Sequence, residues 1–281
     1  MELEGRTAVI TGGASGIGLA LARRLARSKV SLVLGDVEAA PLEAAVAQLR
    51  AEGATVTGRV GDVRREADVV ALREAALAEF GGVHLVVNNA GVGGGPTIGS
   101  PTGVWDWVID VNLRGVVHGV NAFVPHFVAQ GEGHVVNTAS AAGLGGVPGM
   151  GAYCATKFAV VGLSESLYHE LALRAPGVHV SVLCPGFVRT RIAESARNMP
   201  AELRTASEDA FATGAERLAH EAVAAGIDPV EVADAVARAI EDERFWILTH
   251  ERLALRTTES RLEWMRGGSP PGFDLLSAAR P

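Results

Sequence analysis

The chain predicts a single doubly wound α/β domain: a seven-stranded parallel sheet with helices on both faces. Three observations carry that expectation. Short β-rich runs alternate with longer segments whose apolar residues recur at spacings of three and four. Most of the short runs are apolar throughout, as in parallel strands covered on both sides. A glycine-rich turn follows the first run and opens the first helical segment, the order of a nucleotide-binding βα unit.

The first strand is "TAVIT" (7–11), and it leads into "TGGASGIGLALARRLA". Gly12, Gly16 and Gly18 fit G-x-x-x-G-x-G, with Ser15 and Ile17 in the same turn. Glycines there permit a tight turn and a close backbone approach to a pyrophosphate, which then sits at a helix N-terminus where free N–H groups favour anions. The second strand, "SLVLGD" (31–36), ends on Asp36, 18 residues after Gly18. A carboxylate at that point suits the diol of an adenosine ribose and repels a 2′-phosphate. No Lys or Arg follows it in "DVEAAP" or stands in the turn before Gly16, so the sequence points to NAD over NADP.

The remaining strands are read as "TVTGRV" (55–60), "HLVVNN" (84–89), "HVVNTAS" (134–140), "HVSVLC" (179–184) and "FWILT" (245–249). Asp228 and Pro229 form an N-cap and first-turn pair opening the helix "PVEVADAVARAIEDE". Two regions break the alternation. Residues 190–227, beyond the sixth strand, are expected to form a lid over a ligand site. Residues 251–281 follow the 1–250 domain as a helix and tail, expected to dock on a neighbouring subunit because Trp264, Phe273, Leu275 and Leu276 are costly to expose.

Of 25 lysines and arginines only two are lysines, and the chain has only two tyrosines. Yet "AYCATKFAVV" places Tyr153 and Lys157 four residues apart, on one face of a predicted helix. Such a pair serves either as a weak surface contact or as a proton-transfer device.

These segments together resemble the short-chain dehydrogenase/reductase family. "TGGASGIG" resembles its cofactor turn, "NNAG" (88–91) its fourth-strand motif, "YCATK" (153–157) its active-site Y-x-x-x-K and "PGFVRT" (185–190) its post-strand loop. Ser140 lies 13 residues before Tyr153, and "DVNLRG" carries Asn112. The resemblance covers roughly residues 5–250 and implies a Rossmann fold with Asn112, Ser140, Tyr153 and Lys157 as a catalytic tetrad. It implies that Lys157 and the positive nicotinamide ring together lower the phenol of Tyr153, that Ser140 holds the substrate oxygen, and that Asn112 anchors a proton-relaying water. Further cofactor contacts follow from it at Asp62, Val63, Asn89, Ala90, Gly91, Tyr153, Lys157 (to the nicotinamide ribose), Pro185, Gly186, Val188 and Thr190. The implied activity is hydride transfer between NAD(H) and a secondary alcohol or ketone. Phe187, Ile192, Met199, Leu203 and Phe211 near the lid favour an apolar or alicyclic one. Alternatives are an NADPH-dependent carbonyl or 3-oxoacyl-carrier reductase and a nucleotide-sensing scaffold without turnover. The family also implies a homo-oligomer, a tetramer over a dimer, with "FAVVGLSESL" suited either to a buried interface or to the monomer core.

Other classes find no support. A net charge of −7 without a basic stripe argues against nucleic acid. No apolar run approaches a membrane span and no signal peptide precedes the first strand, so a cytoplasmic protein is expected. Cys154 and Cys184 make neither a metal site nor a disulfide framework, and no metal is expected. No G-x-S-x-G elbow is present. His118 and His126 are read as structural, and Cys154 as core. Trp105 and Trp107 either border the substrate mouth or pack under the lid.

Overall fold

A computed structural model describes residues 1–204 and 209–272. Its sheet contains β1 (Thr7–Thr11), β2 (Ser31–Asp36), β3 (Val56–Val60), β4 (Leu85–Asn88), β5 (Gly133–Thr138), β6 (Val178–Leu183) and β7 (Trp246–Ile247). The spatial order is β3-β2-β1-β4-β5-β6-β7, and every pairing is parallel. The doubly wound fold predicted from the sequence is thus the fold observed. Predicted strands differ from these mainly at their ends: β5 stops at Thr138 because Ser140 already caps a 3₁₀ turn, Ala141–Gly143.

Helices α1 (Gly16–Arg27), α2 (Ala39–Ala51) and α8 (Pro229–Glu241) cover one face of the sheet. Leu21 and Leu25 of α1 meet Val236 and Ile240 of α8 over Ile10 and Leu34. Asp228 caps α8 by accepting the Val230 N–H, and Glu231 closes a capping box with it. The other face is covered by α3 (Glu66–Phe80), α5 (Gly115–Gln130) and α6 (Gly151–Arg174), with Phe123 and Phe127 fully buried against Val86 and Val135. A polar chain crosses this core: Asn88 donates to Asn137 (2.9 Å), Asn137 to Ser164 (3.0 Å), and Ser164 to the Val160 carbonyl (2.7 Å). It ties β4, β5 and α6 in one register, since a slip would leave buried amides unpaired.

α4 (Thr102–Ile109) runs through a π-helical turn, Asp110–Arg114, into α5. Such widened turns commonly sit at functional sites. After β6 the chain leaves the sheet and returns at one point: Val188 bridges Ile227, Arg189 N–H donates to Ile227 O (2.9 Å), and Ile227 N–H to Phe187 O (3.1 Å). The intervening segment carries 3₁₀ turns at Ile192–Asn198 and Ala201–Leu203, then α7 (Ala210–Ala224). α9 (Glu251–Met265) follows β7. Trp264 on it is 54% exposed, while Phe273, Leu275 and Leu276 lie outside the described residues.

Candidate active site

Parallel strands of one doubly wound sheet direct ligands to the crevice at their C-terminal ends, where the winding reverses. Here that point lies between β1 and β4, and a cleft of about 2310 Å³ opens over it. It runs from Ser15 and Asp36 at one end, past Tyr153 and Lys157, to α9 at the other.

At the first end, Gly12 and Gly16 take φ of +66° and +54°, a region β-carbons rarely enter. A Cβ on Gly18 would collide with the Gly12 carbonyl, so that turn tolerates no side chain there. Asp36 accepts N–H bonds from Ala14 (3.0 Å) and Glu38 (3.0 Å), and burial pushes its carboxyl up despite them. Asp62 accepts Arg64 N–H (3.0 Å) and its guanidinium (2.7 Å), and the Val63 carbonyl is held by Nδ1 of His118 (2.8 Å). His118 is therefore structural, as read, but what it supports is a candidate adenine contact. Thr11 went unnoticed in the sequence: its hydroxyl accepts the N–H groups of Asn89 (3.0 Å) and Ala90 (3.1 Å). It sets the "NNAG" turn, whose Asn88 belongs to the core.

At the centre, Ser140, Tyr153 and Lys157 are all buried at the ends of β5 and on the first turns of α6. Lys157 Nζ donates to the Thr138 carbonyl (2.8 Å) and stands 5.5 Å from the Tyr153 ring centre. Ser140 Oγ accepts the Ala142 N–H (3.1 Å) and contacts the Pro185 carbonyl at 3.4 Å. Gly91 opens toward Lys157 Nζ, which a Cβ would approach to 3.6 Å.

In this structure burial pushes Tyr153 up to about 12, and the Ser140 hydroxyl pulls only partly against it. Burial likewise brings Lys157 down to about 8. Desolvation disfavours the charged form of each group. The Asn112 side chain donates to the Val92 carbonyl (2.9 Å) and accepts the Val92 N–H (2.8 Å), so the amide braces the β4–α4 loop.

Pro185, Gly186, Val188 and Thr190 lie where β6 enters the cleft. A Cβ on Gly16 would come within 3.1 Å of Thr190, so the two loops close on each other. His250 was not anticipated: its Nδ1 accepts the Gly186 N–H (3.2 Å), and its ring fills the space a side chain at 186 would need. Cys154 accepts the Val147 N–H (3.3 Å) and packs with Ala142 and Tyr153. Trp107 is buried with Val92, Val108, Val111 and Ala152, and Met199 and Leu203 pack onto that group, which places it under the lid segment. Among the described residues no cluster of metal-ligating side chains occurs, and no helix is long and apolar enough to cross a membrane.

A family model for short chain dehydrogenase matches residues 6–201. The chain belongs to the short-chain dehydrogenase/reductase family. It is 42% identical to a short chain dehydrogenase/reductase of Burkholderia phymatum whose crystal structure was solved in complex with NAD, with 97% of this chain and 98% of that one covered and a TM-score of 0.93. Oxidoreductase UcpA of Escherichia coli is 36% identical over 88% of this chain and 91% of its own. A C alpha-dehydrogenase of a Sphingobium species is 34% identical over 89% and 82%. The chain is accordingly an oxidoreductase of a family that uses nicotinamide cofactors.

Proposed function

We propose that this oxidoreductase transfers hydride between NAD(H) and a secondary alcohol or the matching ketone, with Tyr153 as general acid–base. The observation that carries this reading is the convergence of Ser140, Tyr153 and Lys157, all buried, on one wall of the cleft that begins at Asp36. The cleft fits a dinucleotide: its glycine turn has no room for side chains, Asp36 meets the ribose end, and the Thr138 hydroxyl is buried without a partner beside Lys157. Gly12 to Gly18 would hold the pyrophosphate; Asp62, Val63 and Asn89 to Gly91 would flank the adenosine. Pro185 to Thr190 would flank the nicotinamide, which when bound supplies or accepts the hydride.

The remaining chemistry falls to the chain. Ser140 presents its hydroxyl to the substrate oxygen and stabilises charge developing there. Tyr153 takes the substrate hydroxyl proton in oxidation and returns it in reduction. Burial pushes the phenol up, so proton transfer at neutral pH needs positive charge beside it, which Lys157 and a bound oxidised nicotinamide would supply together. Asn112 keeps the Val92 backbone, and with it the floor under the reacting atoms, in place. The segment 190–227 acts as the lid. Val92, Trp107, Met199 and Leu203 give the substrate side an apolar wall, which supports an apolar or alicyclic substrate.

Initial rates with NAD and NADP across a panel of secondary alcohols, for wild type and Tyr153→Phe, test this. Turnover with NAD that drops by about 10²–10⁴-fold in Tyr153→Phe is the expected result. Rates kept by Tyr153→Phe would remove Tyr153 from the reaction, and better rates with NADP would remove the reading of Asp36.

A further inference from the structure

Asp36 is not alone at the ribose end of the cleft. Two residues further on, Glu38 stands at the N-cap of α2, and its side chain makes no cap bond. The side chain faces the cleft and meets Arg197, 159 residues away in the first 3₁₀ turn of the lid segment. The contact is two-pronged: Arg197 Nε donates to Oε1 (3.0 Å) and Nη2 to Oε2 (2.6 Å). The third guanidinium nitrogen, Nη1, donates to the carbonyls of Arg191 (3.2 Å) and Glu194 (3.1 Å). Both side chains are mostly covered, at 25% and 19% exposed. Each partner shifts the other as a close ion pair should: Arg197 holds Glu38 below the usual carboxylate range, and Glu38 pushes Arg197 up, with Asp36 adding to it.

A guanidinium fork that binds a carboxylate by two parallel bonds binds a phosphate in the same way. The lid therefore delivers to the ribose end the one kind of group that the residues around Asp36 lack in the sequence. Here that group is already occupied.

We propose that Glu38 is a second cofactor-specificity residue: by engaging Arg197 it withholds from a ribose 2′-phosphate the lid guanidinium that would otherwise bind it. The same contact latches the lid to the adenosine end of the cleft. This rests on the reading of Asp36 as a ribose-diol acceptor. A 2′-phosphate entering the wild-type site would have to displace a two-point carboxylate while lying against Asp36. Without the Glu38 charge, only Asp36 opposes it, and Arg197 is free to pair.

The test is a titration of NADH and NADPH by nicotinamide fluorescence at fixed ionic strength. It compares wild type, Glu38→Gln, and Glu38→Gln combined with Arg197→Met, with thermal melts to establish folding. The wild type should favour NADH. The ratio of Kd for NADPH to Kd for NADH should fall about tenfold or more in Glu38→Gln and climb back when Arg197→Met is added. An unchanged ratio in Glu38→Gln, or a fall that survives loss of Arg197, overturns the proposal and leaves the reading of Asp36 standing. A wild type that binds NADPH as tightly as NADH overturns both. Should Glu38→Gln fail to fold, Arg197→Met alone decides: an unpaired Glu38 must raise the ratio, and an equal or lower ratio overturns the proposal.

Discussion

Trp107 and Trp264 border the same cleft and are held in opposite ways. Trp107 on α4 is 4% exposed, packed among Val92 of the β4–α4 loop, Ala152 of α6 and the lid segment. Trp264 is 54% exposed near the end of α9, beside Met265 at 76%. The inner wall is thus part of the core, where close packing fixes the geometry on which proton transfer depends. The outer rim offers large apolar side chains to whatever enters. The inner wall cannot change without cost to folding, whereas the exposed rim has little burial to lose.

The first way to break this contrast is Trp107→Ala. Removing a buried tryptophan leaves a cavity that the surrounding helices cannot fully close, at a cost of about 3–5 kcal/mol. Urea unfolding should show the loss in its midpoint. A cost under about 1 kcal/mol would mean that the wall relaxes as a rim does.

Acid provides a second, milder probe, because burial disfavours the charged form of several histidines. Burial brings His134 on β5 down to about 3, helped by His179, and lowers His84 and His250 as well. Below about 6.5 the unfolded chain takes up protons that the folded chain refuses. Stability is therefore complete above that pH and falls as the pH drops toward the folded values, at about 1.4 kcal/mol per unit for each fully buried histidine. Asp36, raised by burial, works in the opposite sense, but only near the carboxylate range. Urea midpoints at pH 7.5 and 5.5 should differ in wild type, with a smaller difference in His134→Gln. A flat profile would show that these rings are protonated in the fold.

The contrast also explains what was legible in the sequence. The glycine turn, Asp36 and the Tyr153–Lys157 pair are local: backbone φ, a strand end and one helical turn place them, so spacing alone exposes them. The parallel sheet and its two covered faces followed from the hydrophobic pattern of the strands and the helical segments between them. What escaped is what tertiary paths decide. Glu38 meets Arg197 only because the lid folds back across the cleft. His250 supports Gly186 only because β7 lies beside β6. Thr11 looked like any strand residue, and its hydroxyl gained a role from the turn of a neighbouring strand. The burial of Tyr153 belongs here too: helix spacing places the lysine, but burial is a property of the assembled core. Whether Trp107 faced the mouth or lay under the lid was likewise a question of packing, and Met199 and Leu203 answer it.

The smallest expected effect is on stability in Trp264→Ala, and it is the sharpest test of the rim. At 54% exposure the side chain has little burial to lose, and the midpoint of urea unfolding should move by no more than about 0.5 kcal/mol. If Trp264 instead covers part of a bound apolar substrate, its removal forfeits about 1 kcal/mol of contact, a severalfold rise in KM. The rise should grow with the size of the alcohol or ketone, because a small substrate held at Ser140 and Tyr153 never reaches α9. Equal KM changes for small and large substrates would place the effect at the inner wall. No change for either would make α9 a bystander to catalysis and return substrate selection to the lid segment and Trp107.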